Sequence, residues 1–239
     1  MSDENSLELH EPIREGLSST LGGSGWALDQ LYAKTMQHGI SRVFRAHQGT
    51  SGRTVAVKAN PLGEQNVRQF RAMVRMTEVT LDCVKPLFLD VDHRYFAMEW
   101  HDAPLLVDGM EGSDRLRLVE RAGAWLRSLH TETSAGEGVD PMLAAQRLMP
   151  PATCPGHRRV RVRLRERRTE LGNLTAPLAM LHTDFQLHNL FDTGDRLLAF
   201  DRVDDRIGAT YFDVARFLVG CAVYRARAAR AGGPKILIA

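Results

Sequence analysis

Apolar and polar positions alternate in "SRVFRA" (41–46) and "RTVAVKA" (53–59), with "HQGTSG" between them. Period-two alternation flanking a Gly/Ser-rich turn predicts a β-hairpin. "EQNVRQFRAMVRMTEV" (64–79) then changes to helical spacing, with Val67, Phe70 and Val74 on one face. "VKPLFLDVDHRYFAMEW" (84–100) reads as two further strands joined at "DVDHR". From His101 onward helices dominate. "SDRLRLVERAGAWLRSLHTET" opens with Ser113 as its expected cap and carries a stripe of Leu116, Val119, Ala122, Leu126 and Leu129. "TYFDVARFLVGCAVYRARAARA" (210–231) is the last expected helix. The pattern divides the chain into three parts. Residues 1–30 form a leader, loosely ordered where "SSTLGGSG" occurs; 31–100 form a small sheet with one helix; 101–239 form a helical part. A β-rich part followed by an α-rich part implies α+β architecture in two lobes with a cleft between them.

Composition narrows the class of partner. A chain of 239 residues with a formal net charge of +2 can bury a sizeable core and has no general pull toward nucleic acid or anionic membrane. No apolar run approaches the roughly 20 residues that span a bilayer, and the polar, acidic start is unlike a signal peptide. Three cysteines, Cys83, Cys154 and Cys221, have no metal-ligand spacing, which fits a reducing cytoplasm. Basic charge is almost all arginine. The lysines are Lys34, Lys58, Lys85 and Lys235 only, so Lys58, inside a strand pattern, stands out.

Candidate chemistry concentrates in "AMLHTDFQLHNLFDTGDRLLAFD" (179–201). Taken alone, Asp184 is an ordinary turn aspartate that satisfies loop backbone. The surrounding pattern adds to that reading. Asn189 follows five residues later, and a short hairpin around "DTGD" folds the chain back so that Asp201 can lie beside Asn189. Two such oxygen donors suit a hard cation such as Mg²⁺, leaving Asp184 to accept a proton from a hydroxyl. The order of these residues resembles the catalytic loop and metal aspartate of the protein-kinase-like superfamily. Within it, "HTDFQLHN" is most similar to the H-G-D-x-x-x-x-N loop of the aminoglycoside phosphotransferase and choline kinase branch.

That resemblance implies a bilobal protein-kinase-like fold, with a small antiparallel-sheet N-lobe and a helical, C-terminally short C-lobe. It implies ATP and Mg²⁺ as cofactors: Lys58 on the phosphates, Ala56 beside the adenine, Asn189 and Asp201 on the metal, and Asp184 as the catalytic base. Gly39 and Ser41 in "HGISRVFRA" would form the phosphate-covering loop. The hinge would be Glu99, Trp100 and His101. Asp213 would anchor the catalytic loop from behind, and His182 would be scaffold. A glutamate should pair with Lys58; Glu64 and Glu78 are candidates, although apolar alignment puts Gln69 at that position. Gln186, where protein serine/threonine kinases carry lysine, and only twelve residues from Asp201 to Asp213 point to a small-molecule hydroxyl acceptor rather than a protein. Members of that branch usually continue beyond this last helix, so the acceptor site is expected to be reduced, or completed by another chain or by the arginine-rich helix. The alternative is a pseudokinase, a nucleotide-binding or interaction module with little turnover. Seven arginines from Arg158 to Arg168 read as a solvated helix face, then as an anionic-acceptor site, and last as a nucleic-acid site, since no aromatics interleave. The pattern leaves oligomeric state open.

Overall fold

The computed structural model describes residues 4–49, 51–80, 82–139, 162, 175–202 and 205–231. The seven arginines from Arg158 to Arg168 lie outside these residues. Five antiparallel strands form the first sheet, in the order β1-β2-β3-β5-β4. They are β1 (Trp26–Met36), β2 (Gly39–Gln48), β3 (Thr54–Ala59), β4 (Pro86–Leu89) and β5 (Phe96–Glu99). The expected hairpin is β2–β3, in a register that pairs Arg45 with Ala56 and Val43 with Lys58. Helix α2 (Gly63–Val79) follows β3 and packs beside β4.

The leader departs from expectation. Residues Glu4–Leu21 form helix α1, and residues from Trp26 already belong to β1. Leu9, Ile13, Leu17 and Leu21 recur every fourth position, the spacing of one helical face. Ile13 and Leu17 are fully buried against Trp26, Phe44 and Tyr95. Each such burial contributes roughly 1.5–3 kcal/mol, which outweighs the weak helix propensity of the Ser-rich end. Only residues 22–25 are loop, and there Gly22, Gly23 and Gly25 all take positive φ, a region open to residues without a Cβ. Pro12 sits within α1, and its carbonyl accepts a 2.9 Å hydrogen bond from the Tyr95 hydroxyl.

Two helical faces also differ from the simple reading. On α2 the buried residues are Asn66, Gln69, Ala72, Met73 and Met76, while Val67, Phe70 and Val74 are half-buried. Polar side chains turn inward there because strand ends and the cleft supply their partners. On α3 (Arg115–Glu132) the N-cap is Asp114 rather than Ser113, and it makes no side-chain cap bond. The inward stripe is Leu118, Ala122, Trp125, Leu126 and Leu129, leaving Leu116 71 % exposed. Trp125 decides this register. It stacks on Phe185 and donates a 2.7 Å hydrogen bond to the Asp82 carbonyl.

The second part holds short strands besides helices. Strand β6 (Glu137–Val139) and β10 (Ile207–Ala209) flank β7 (Thr175–Met180), and β8 (Leu190–Asp192) pairs with β9 (Leu197–Ala199). Helix α4 (Tyr211–Ala231) is the last described element. The C-lobe core joins Leu126 and Leu129 of α3 to Phe185, Leu190 and Phe217. A smaller cluster of Ala56, Met73, Phe96, Met98 and Leu198 bridges the two parts. No described helix is long and apolar enough to cross a membrane.

Candidate active site

Strand β7 delivers the chain to His182, where it leaves the sheet. Thr183 then takes φ +69°, an unusual conformation for a β-branched residue. Asp213, fully buried at the start of α4, holds this kink. Its carboxylate accepts from His182 N at 2.7 Å and Thr183 N at 2.9 Å, with His130 Nε2 at 3.2 Å. His182 is fully buried edge-on to Trp125 and Phe185, with neither ring nitrogen hydrogen-bonded among the described residues. Burial lowers its pKa against the opposing pull of Asp213, Asp184 and Asp201, so the ring is neutral.

The kink presents Asp184 to a cavity of about 1570 Å³ between the two parts. Asn189 Nδ2 donates to the Asp184 carbonyl at 2.8 Å and to its carboxylate at 3.0 Å. Arg216, from α4, grips Asp184 Oδ1 through both Nε (2.8 Å) and Nη2. Burial pushes the Asp184 carboxyl up. The hydrogen bonds of Arg216, Gln186 and Asn189, with the Arg216 charge, outweigh it and hold the pKa below the usual carboxylate value.

The β8–β9 hairpin brings Asp201 back as expected. Leu190 pairs with Ala199, and Phe200 N donates to the Asn189 carbonyl at 3.1 Å. Asp201 has φ +61°. Its Oδ1 accepts from Lys58 Nζ of β3 and from Gln69 Nε2 of α2. Residues 143 positions apart thus meet across the cavity. Glu64 and Glu78, the candidate partners of Lys58, are both exposed. Gln69 holds the inward position instead and accepts from Asn60 Nδ2 at 3.0 Å.

The remaining expected residues divide. Ser41, Ala56, Glu99, Trp100 and His101 line the same cavity. Ser41 Oγ donates to Asn60 Oδ1 at 3.0 Å. Glu99 N is engaged by the Lys85 carbonyl at 2.9 Å, whereas His101 N–H makes no hydrogen bond among the described residues. Trp100 carries the Arg45 guanidinium 5.1 Å from its ring centroid. Gly39 lies at the β1–β2 turn, outside the cavity lining, with φ +136°. A Cβ there would come within 2.8 Å of Pro61.

No protein-family model and no curated protein sequence matches the chain. Solved structures do. Aminoglycoside phosphotransferase APH(4)-Ia superposes with a TM-score of 0.64 at 14 % identity, covering 92 % of this chain and 82 % of that one. A choline/ethanolamine kinase family protein from Mesorhizobium loti gives 0.62 at 19 % identity, with coverage of 95 % and 77 %. Choline kinase LicA from Streptococcus pneumoniae gives 0.61 at 16 %, with coverage of 93 % and 79 %. The fold is that of the protein-kinase-like phosphotransferases. A thermostable mutant of APH(4)-Ia has been solved with ADP and hygromycin B, and another with AMP-PNP and hygromycin B.

In this kinase-like fold, the donor set fits a lightly held Mg²⁺. Asp201 Oδ2 and Asn189 Oδ1 have no protein partner among the described residues, while the nitrogen and the other oxygen are engaged. No three His, Cys, Asp or Glu residues group as metal ligands among the described residues, so a Mg²⁺ held by these two donors would take its other ligands from phosphate and water. Two residues in and beside this cavity were not singled out by the sequence pattern. Arg216 was legible only as the residue one turn after Asp213 on the same helix. Arg202, fully buried, donates to the Leu181 carbonyl at 2.8 Å, the Ala72 carbonyl at 2.9 Å and Asp205 at 3.2 Å. Nothing in its context marks it as buried.

Proposed function

We propose that this protein is an ATP- and Mg²⁺-dependent phosphotransferase acting on a hydroxyl of a small molecule, in the cytoplasm. The observation that carries this reading is the meeting of Lys58, Asp184, Asn189 and Asp201 in one cavity. The free thiols of Cys83 and Cys221 suit a reducing compartment.

Lys58 would steady the nucleotide phosphates once they displace it from Asp201. Ala56 and the bridging apolar cluster would receive the adenine, and His101 N–H is available to its edge. Asn189 and Asp201 would hold Mg²⁺, which supplies charge neutralisation at the phosphate oxygens. Asp184 would orient the acceptor hydroxyl and take its proton as the oxygen attacks the γ-phosphorus and ADP departs. A carboxyl held below its usual pKa is a weak base. Its main work is therefore positioning, as a loose phosphoryl-transfer transition state demands.

The test is phosphoryl transfer from ATP to a panel of alcohols with and without Mg²⁺. The reading expects Mg²⁺-dependent product. Asp201→Asn should lose Mg²⁺-dependent nucleotide binding and lower turnover at least 100-fold, with an unchanged circular dichroism spectrum. Undiminished turnover in Asp201→Asn would falsify the role of Asp201. A second reading, a pseudokinase, draws on Gln69 standing where a lysine-pairing carboxylate is expected. It predicts a rise in Tm with Mg²⁺ and ADP, yet neither transfer nor slow ATP hydrolysis.

A further inference from the structure

The wall facing Asp184 is built by α4, which contributes Tyr211, Ala215, Arg216, Val219 and Val223 to the cavity. It contributes no lining carboxylate. Asp213, on the same helix, is fully buried and turned to the loop backbone. The other carboxylates of the cavity lie elsewhere. Glu99 and Asp102 sit in the hinge, and Asp201 is bound to Lys58. Glu111 bonds the Tyr224 hydroxyl at 3.0 Å but does not line the cavity. At this end Asp184 pairs with Arg216, and Lys34, which also lines the cavity, acts with Arg216 against a positive charge on the neighbouring His188.

Among the described residues, a cationic acceptor finds no carboxylate here except Asp184, which is already paired, and it meets the Arg216 guanidinium. That guanidinium is 42 % exposed and spends only Nε and one Nη2 donor on Asp184 among the described residues. Of its five N–H donors, three remain for a ligand. Its planar fork matches carboxylate and phosphate oxygens in geometry as well as charge.

Building on the phosphotransfer reading of Asp184, we infer that the acceptor carries an oxyanion, a carboxylate or a phosphate, near the hydroxyl that is phosphorylated, and that Arg216 binds it. The oxyanion competes with Asp184 for the guanidinium. As Arg216 turns to the ligand, Asp184 is released toward the hydroxyl. In the resting protein Arg216 screens the carboxylate; with the right acceptor the same arginine orients the substrate.

Four matched alcohols separate the possibilities: glycerol (neutral), serinol (cationic), glycerate (carboxylate) and glycerol phosphate. Titration calorimetry on the full chain reads their binding without turnover. Glycerate or glycerol phosphate should bind at least about 10-fold tighter than glycerol and serinol, and which of the two does so identifies the oxyanion. Arg216→Gln, its fold checked by thermal melting, should erase that preference. Asp184→Asn removes the competitor for the guanidinium, so it should tighten oxyanion binding several-fold, a change opposite to that expected from loss of a merely structural ion pair. Serinol or glycerol binding as tightly as the anions, no measurable binding of any of the four, or an anion preference that survives Arg216→Gln, would each overturn the inference. Oxyanion preference without phosphoryl transfer from ATP would overturn the phosphotransferase reading and leave the Arg216 site standing. Transfer without oxyanion preference would do the reverse.

Discussion

At the residue scale, the backbone leading to Asp184 is held against its own preferences. Thr183 at φ +69° costs about 1–2 kcal/mol relative to a residue without a Cβ. Its hydroxyl, which donates to the His182 carbonyl at 2.6 Å, recovers part of that. Thr183→Gly relieves the strain but loses that bond and a buried side chain, so the net change in stability should stay within about 1 kcal/mol. Thr183→Val keeps the strain and loses the bond, and should cost about 2 kcal/mol by urea denaturation. His182 makes a separate prediction. Its folded pKa lies below the ordinary 6.5, so the unfolded chain binds more protons as pH falls through that value. Stability contributed by the neutral ring is present above pH 6.5 and lost as pH falls toward the folded pKa. His182→Phe should flatten the fall in stability below pH 6.5, measured by denaturation at stepped pH. The loop was readable from sequence because Asp184, Asn189 and Asp201 sit at fixed chain offsets. Arg216 and Arg202 were not, because a lone arginine looks the same whether it meets solvent, a carboxylate or a buried carbonyl.

At the element scale, strands were easier to read than helical faces. Period two leaves a strand only two orientations, and the β2–β3 hairpin followed from alternation and its turn. A helix offers a continuum of orientations, and partners far along the chain choose among them. On α2 the inward face is set by Asn66, which donates to the carbonyls of His93 (2.8 Å) and Arg94 (2.9 Å), and by Gln69 at Asp201. Hydrophobic spacing alone cannot see such bonds. Helix α1 was obscured for a related reason: its stripe is narrow and its end rich in Ser and Gly, so composition outweighed periodicity. Its contribution is measurable. Ile13→Ala or Leu17→Ala should each cost about 2–4 kcal/mol, the range for emptying a well-packed core position. A change below about 0.5 kcal/mol in both would mean that α1 does not close the back of the sheet.

At the scale of the whole molecule, two of the links that cross between the parts start from neighbouring residues, Asp201 and Arg202. One is the Lys58–Asp201–Gln69 cluster within the cavity. The other is Arg202, which ties the Ala72 carbonyl of α2 to the Leu181 carbonyl at the end of the β7 segment. Arg202→Met should cost about 3 kcal/mol, since two carbonyls and Asp205 lose a charged donor. The loss should be seen in thermal or urea unfolding with or without nucleotide. Helix α4 has the broader consequence. One turn of it, Asp213 to Arg216, grasps the loop twice, at the amides preceding Asp184 and at the carboxylate itself. The surface that would recognise a substrate and the group that would act on it are therefore parts of a single lever. Any change that tilts this helix will alter affinity and turnover together, and the two cannot be tuned separately without first cutting one of its grips.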